Sequence, residues 1–218
     1  MADKLKSKAK AHTIYKTSDG KRVPSVTTIL SLLNKPYLIQ WANKLGLEGI
    51  DSTKYRDEAA EIGTLAHAII QSHLAKEELD YTEYSALHKD LAENAVLSFL
   101  EWEKNNKIEP LLLEKSLVSD KKEYGGTVDC YCLLNGEPTL VDFKTGKAIY
   151  DEYFVQVSAY AELLKEHGYP VNKIVILRVG RDSTEGFETR AVSDYSNYYK
   201  IFENLLEIYK TKKILKWS

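Results

Sequence analysis

The chain has 218 residues, a formal net charge of −2, and 44% hydrophobic and 28% charged content. That is the balance of one globular domain large enough to bury a real core, and it argues against a polycation that coats nucleic acid along its length. No apolar run approaches the ~20 residues needed to span a bilayer, and the N-terminus has neither an apolar signal core nor an Arg-rich, acid-free transit segment. An intracellular protein with no membrane contact is expected.

Residues 1–22 read as a basic arm, with Lys4, Lys6, Lys8, Lys10, Lys16, Lys21 and Arg22 set against Asp3 and Asp19, and a short hairpin at Asp19-Gly20. Such lysine-rich ends are ordinarily just solvated. Ser25 is placed to cap a helix through Leu33, with Val26, Ile29, Leu30 and Leu33 as its apolar stripe. Asn34-Lys35-Pro36 breaks it. A second short helix from Tyr37 to Leu45 carries Trp41 and stops at Gly46. The next helix spans Asp57 to Leu74, with Gly63, His67 and Ile70 recurring at helical spacing. After a polar connection, an amphipathic helix from Ala86 to Asn105 is expected to bury Leu87, Leu91, Ala95, Phe99 and Trp102. Pro110 opens a strand through Val118.

The stretch from Gly126 to Lys144 then reads as two strands joined at Asn135-Gly136, the strongest short hairpin signal, since both positions tolerate positive φ. A two-residue loop pairs Leu134 with Glu137 and places Asp129 opposite Asp142. Lys144, two residues on, shares their face. The other face is expected to carry Val128, Cys130, Cys132, Leu134, Val141 and Phe143 as core. Opposed carboxylates only ~5 Å apart repel. The cluster has two readings: a charged solvent face, or a site that holds a divalent cation. The two cysteines are expected to be small core residues, too few to build an iron–sulfur cluster.

Thr145-Gly146-Lys147 turns the chain into a helix from Asp151 to His167, ended at Gly168-Tyr169-Pro170. Strands follow at Lys173–Val179 and Phe187–Val192. Asp194 is placed to cap a last helix that buries Tyr198, Ile201, Leu205 and Ile208. The predicted fold is α/β of mixed α+β type: one domain over residues 1–218, with a helical part at 23–107 and a central mixed sheet with flanking helices on both sides at 108–218.

Several short motifs fall in a telling order. Gly126-Thr-Val-Asp129 and Asp142-Phe-Lys144 resemble the active-site strands of the PD-(D/E)XK nuclease superfamily. Gly63-Thr-Leu-Ala-His67 and Gln156-Val-Ser-Ala-Tyr160 resemble the upstream and downstream helix motifs of its RecB-like branch. Val23-Pro-Ser-Val-Thr-Thr-Ile-Leu30 is similar to the start of phage exonucleases and of the mitochondrial genome maintenance exonuclease. Val128 stands where the superfamily name has proline, and the cysteine cluster of the iron–sulfur members is missing.

The resemblance implies a restriction-endonuclease-like core with N-terminal helical additions. It implies a metal-dependent DNA exonuclease acting on linear DNA with a free end, single strands among the candidate substrates, in processing, recombination or repair, and located in the cytoplasm of a bacterial or phage-infected cell. A recombination or replication protein is the partner it suggests. Catalysis falls to Asp129, Asp142 and Lys144. One or two Mg²⁺ or Mn²⁺ ions would be held by His67, Glu114, Asp129, Asp142 and the main-chain carbonyl of Phe143. Hard carboxylates suit these ions, and an imidazole tilts the choice towards Mn²⁺. Lys144 would orient the attacking water. Gln156 and Tyr160, on one helix face, read either as a grip on DNA or as a hydrogen-bonded core pair. Arg56, with Lys54, reads as a phosphate contact or a solvated charge, and Trp41 or Tyr124 as a stacking surface or core. The rival functions are a structure-specific endonuclease on the same fold and a catalytically silent DNA-binding module.

Overall fold

A computed structural model describes residues 13–217 together with the backbone of Leu5–Lys6. Lys4, Lys8 and Lys10 of the basic arm lie outside the described residues. The elements run β1 (Leu5–Lys6), β2 (Tyr15–Lys16), β3 (Arg22–Val23), α1 (Val26–Leu30), α2 (Pro36–Leu47), α3 (Ser52–Ala75), β4 (Leu79–Asp80), α4 (Ala86–Glu103), β5 (Ile108–Ser119), β6 (Tyr124–Leu134), β7 (Glu137–Lys144), α5 (Asp151–Glu166), β8 (Lys173–Val179), β9 (Phe187–Val192) and α6 (Ser196–Ile214).

Strands β5 to β9 form one five-stranded sheet in chain order, antiparallel at every step except β7–β8. A parallel step needs a crossover, and α5 supplies it. Both faces are covered. On one, α3 and α4 bury Leu65, Ile70, Ala95 and Phe99 against Cys130, Cys132, Val141, Phe143 and Leu177. On the other, α1, α5 and α6 bury Val26, Phe154, Leu164 and Phe202 against Val128, Leu140, Ile174 and Ile176. The mixed sheet flanked by helices is the fold class expected from the sequence. No described helix is long and apolar enough to cross a membrane.

Four expectations are corrected. The central hairpin does not have one core face and one chemical face, because Tyr131 and Leu140 are as deeply buried as Cys130 and Val141. Val128 packs with Leu140, on the side opposite Cys130. The helix with His67 starts at Ser52 rather than Asp57, because Asp51 caps it by accepting from the N–H groups of Thr53 (2.8 Å) and Lys54 (3.2 Å). Finally, two apolar stripes are corrected in part: that of α4 loses Leu87 but keeps Ala95, Phe99 and Trp102, and that of α6 loses Ile201 and Ile208 but keeps Leu205. Leu87 of α4 is 64% exposed, and Ala92, Ala95, Phe99 and Trp102 face inward. In α6, Ile201 and Ile208 are exposed, while Phe202, Leu205 and Leu206 are buried.

Phe99 ties the α4 layer to the sheet, meeting Phe143 edge-on at 5.7 Å and packing against Trp102 at 5.9 Å. Phe99→Ala is expected to cost about 3–5 kcal/mol in urea unfolding. Leu97→Ala, at an exposed position on the same helix, is expected to change stability by less than about 0.5 kcal/mol.

Candidate active site

The turn at Asn135 (φ 53°) and Gly136 (φ 84°) has positive φ at both central positions, and it sets the register Leu134↔Glu137 through Cys130↔Val141. There the β6–β7 ladder stops. Beyond it β6 stays with β5 as far as Ser119↔Tyr124, and β7 stays with β8 as far as Lys144↔Arg178. The two strands therefore fork, and the first residues inside the fork are Asp129 and Asp142. On the β5 side, the pairs Leu113↔Cys130 and Lys115↔Val128 put Glu114 opposite Asp129. Glu114, Asp129 and Asp142 thus form one row across three strands. Glu114 takes φ 45°, an uncommon conformation for a residue with a side chain, where the Glu114–Asp129 pair drops out of the β5–β6 ladder with no change of register, the ladder's register shift lying between Pro110 and Leu112. The side-chain alternation of β6 breaks there, which is why Val128 and Cys130 face opposite cores.

Helix α3 brings His67 onto this row. One ligand atom each of His67, Glu114 and Asp129 lies within 4.8 Å of the others. His67 Nδ1 is 3.6 Å from Asp129 Oδ2, and its ring meets Phe143 edge-on at 6.0 Å. In place of the missing ladder bond, the Phe143 N–H donates to Asp129 Oδ2 at 3.0 Å. N–H and C=O of one strand residue project to the same edge, so the Phe143 carbonyl also points into the fork. Two hard carboxylates, an imidazole and a carbonyl on that edge make a donor set that fits a divalent metal ion.

Asp142 stands apart from the three clustered donors. It is 2% exposed, and its Oδ2 lies 2.6 Å from Lys144 Nζ. Burial pushes its carboxyl up to about 6, against the pull of the Lys144 ammonium. Lys144 also donates to Gln156 Oε1 (3.2 Å) and lies 4.9 Å from the centre of the Tyr153 ring. Gln156 Nε2 in turn donates to Tyr160 Oη (2.9 Å). A chain of contacts thus runs from Asp142 through Lys144 to Gln156 and Tyr160, fixing the ammonium beside the acidic row.

Two glycines of the motifs have steric reasons. A Cβ at Gly126 would overlap the Tyr160 ring, and one at Gly63 would stand 2.8 Å from Thr145 Oγ1. The glycine of β6 lets α5 close on the fork, and the glycine of α3 lets that helix reach the end of β7.

Not every candidate reaches the row. Tyr160 is 5% exposed with its hydroxyl engaged, so of the pair given to DNA only the half-buried Gln156 keeps an open surface. Arg56 lies three helical turns from His67, about 16 Å along α3, exposed and paired with Asp57 at 2.7 Å. Tyr124 is 1% exposed and donates to the Ala159 carbonyl at 3.2 Å, which rules it out as a stacking surface. Trp41 meets Tyr55 edge-on at 6.0 Å. Tyr153 was not singled out by motif, although its place one turn before Gln156 on α5 is a spacing signal for it.

No family model matches the chain, and no curated protein matches it. Among solved structures, the protein SSO0001 is similar at 11% identity and a TM-score of 0.39, over 83% of this chain and 74% of that one. A protein described as a candidate exonuclease, from Eubacterium rectale, is similar at 13% identity and a TM-score of 0.44, over 71% of this chain and 66% of that one. Both are distant likenesses.

Mn²⁺ is expected to raise the melting temperature of the wild-type protein, and His67→Ala to abolish most of that rise while Arg56→Ala preserves it. Differential scanning calorimetry with and without Mn²⁺ checks both. Gly126→Ala is expected to destabilise by about 1–3 kcal/mol in urea unfolding, because the Tyr160 ring must move.

Proposed function

We propose that this protein is a metal-dependent deoxyribonuclease of the PD-(D/E)XK kind, acting as an exonuclease on linear DNA. The observation that carries the reading is the meeting of His67 from α3 with the Glu114–Asp129–Asp142 row, beside a lysine held in place by Asp142 and Gln156. In this reading His67, Glu114, Asp129 and the Phe143 carbonyl hold the cation, with Asp142 joining on the Lys144 side. When bound, Mg²⁺ or Mn²⁺ supplies the Lewis acidity and the charge neutralisation that phosphodiester hydrolysis demands.

The chain's own groups do the rest. Lys144 orients the water that attacks phosphorus and balances the charge growing on the phosphoryl oxygens as one P–O bond forms and the other breaks. Asp142 and Gln156 hold its ammonium in one place, so no reorganisation is needed as that charge develops. Phe143 N–H fixes the Asp129 carboxylate for the same reason. Lys54, away from the row and in no ion pair among the described residues, suits the phosphates of the strand leading to it, whereas Arg56 is taken up by Asp57.

Lys144→Ala is expected to lower hydrolysis by at least a hundredfold while leaving the Mn²⁺-induced thermal shift intact. Near-normal turnover by the folded variant would remove Lys144 from the mechanism. The exonuclease reading is tested with linear and covalently closed circular single strands of one sequence in Mn²⁺. Progressive shortening of the linear strand alone is the expected result. Cutting of the circle at a similar rate would make the protein an endonuclease on this fold.

A further inference from the structure

On the reading just given, we infer that the substrate is an unpaired DNA strand, and that a base next to the cleaved linkage stacks on an exposed tyrosine platform formed by Tyr37 and Tyr150. The two rings lie face to face, 5.7 Å between centres and 7° from parallel. Tyr37 is 41% exposed and Tyr150 39%, so neither ring is there to fill a core. Tyr150 meets Tyr153 edge-on at 5.6 Å, and Lys144 Nζ sits over the Tyr153 ring. An unbroken series of rings therefore leads from the lysine beside the acidic row out to solvent.

The platform is set by the way α2 is mounted. Of all α2 residues only Leu45 is buried, and Leu38, Ile39 and Leu47 are exposed, so core packing does not position this helix. Contacts at its start and its middle do. At its start Lys35 pairs with Glu152 at 2.9 Å, the Tyr37 hydroxyl reaches the same carboxylate at 3.5 Å, and Tyr37 stacks on Tyr150. Further along, Trp41 rests on Tyr55 of α3. The helix thus leans on the start of α5 and on the start of α3, the two helices that deliver Gln156 and His67 to the site.

Chemistry selects the occupant. An aromatic face recognises another flat π-system, and every nucleobase has one, but a base offers its face only when it is out of a duplex stack. Local charge is close to balanced and leaves the choice to the rings: Lys44 and Lys54 are exposed and form no ion pair among the described residues, the exposed Glu48 and Glu58 lie four residues on from them, and the carboxylates of Glu152, Asp57 and Asp51 are taken up by Lys35, Arg56 and the N–H groups of α3.

The test uses a single strand carrying 2-aminopurine at its end, the matching duplex, and the variants Tyr37→Ala/Tyr150→Ala and Tyr37→Phe. Binding is read by fluorescence quenching in EDTA and hydrolysis in Mn²⁺. Wild type is expected to quench the single strand and degrade it faster than the duplex. The double variant should bind the single strand roughly tenfold more weakly and lose most of that preference, while Tyr37→Phe, which keeps the ring, behaves as wild type. Both tyrosines are exposed, and unchanged thermal melting would show that the variants fold. Equal binding and equal hydrolysis by the double variant would overturn the platform and leave the nuclease reading standing. Quenching lost in the double variant, with no hydrolysis by wild type, would support the platform and overturn the nuclease reading.

Discussion

Three carboxylates in one row across neighbouring strands are the constraint on which the rest of this structure depends. Strands are spaced about 5 Å apart, so Glu114, Asp129 and Asp142 crowd negative charge into a partly buried place where water screens it poorly. The fold answers with donors: Lys144 on Asp142, the Phe143 N–H on Asp129, and His67 close by. The fork between β6 and β7 is what makes this possible. Had the ladder continued, the Phe143 N–H would have been committed to a backbone carbonyl and the carboxylates pressed together without room for a cation.

The helices around the fork serve that row. Helix α5 supplies the crossover that the parallel β7–β8 pair requires, and the same helix presents Gln156 and Tyr153 to Lys144. One element thus closes the sheet and aims the ammonium. It can approach so closely only because Gly126 leaves room for the Tyr160 ring. That packing makes Tyr160 a support for Gln156, and it explains why the two sit one helical turn apart.

What the sequence revealed, and what it hid, follows from which features are local. The register that sets Asp129 against Asp142 was legible because an Asn-Gly turn fixes it within two residues. Strands β8 and β9 were legible to the residue, because both are bounded by turn-forming segments. The break in alternation at Asp129 was not. It accompanies a positive φ at Glu114, and a glutamate carries no signature of that conformation. The stripe of α6 went partly astray because Tyr198, Ile201, Leu205 and Ile208 satisfy helical spacing as well as the buried Phe202, Leu205 and Leu206 do, and only the tertiary neighbours choose between them. Tyr160 resembled a substrate contact because its spacing from Gln156 is the same whether the pair faces solvent or core.

Under the proposed function, the balance of charge bears on how DNA would be held. A chain of net charge −2 with an acidic row at its centre gains little from long-range attraction to a polyanion. About half of its described cations are engaged in ion pairs such as Lys147–Glu185 and Arg56–Asp57. Affinity that came from counterion release alone would fall steeply with salt and would be modest here. Stacking draws on a different source, since the contact of a base with Tyr37 depends on surface and polarisability rather than on net charge. The exposed rings on α2 and the cation beside the carboxylates would then divide the task, one gripping the base and the other the phosphate. On that proposal, the helix that carries the platform has only Leu45 buried and is held instead by Tyr37 on Tyr150 at its start and Trp41 on Tyr55 at its middle.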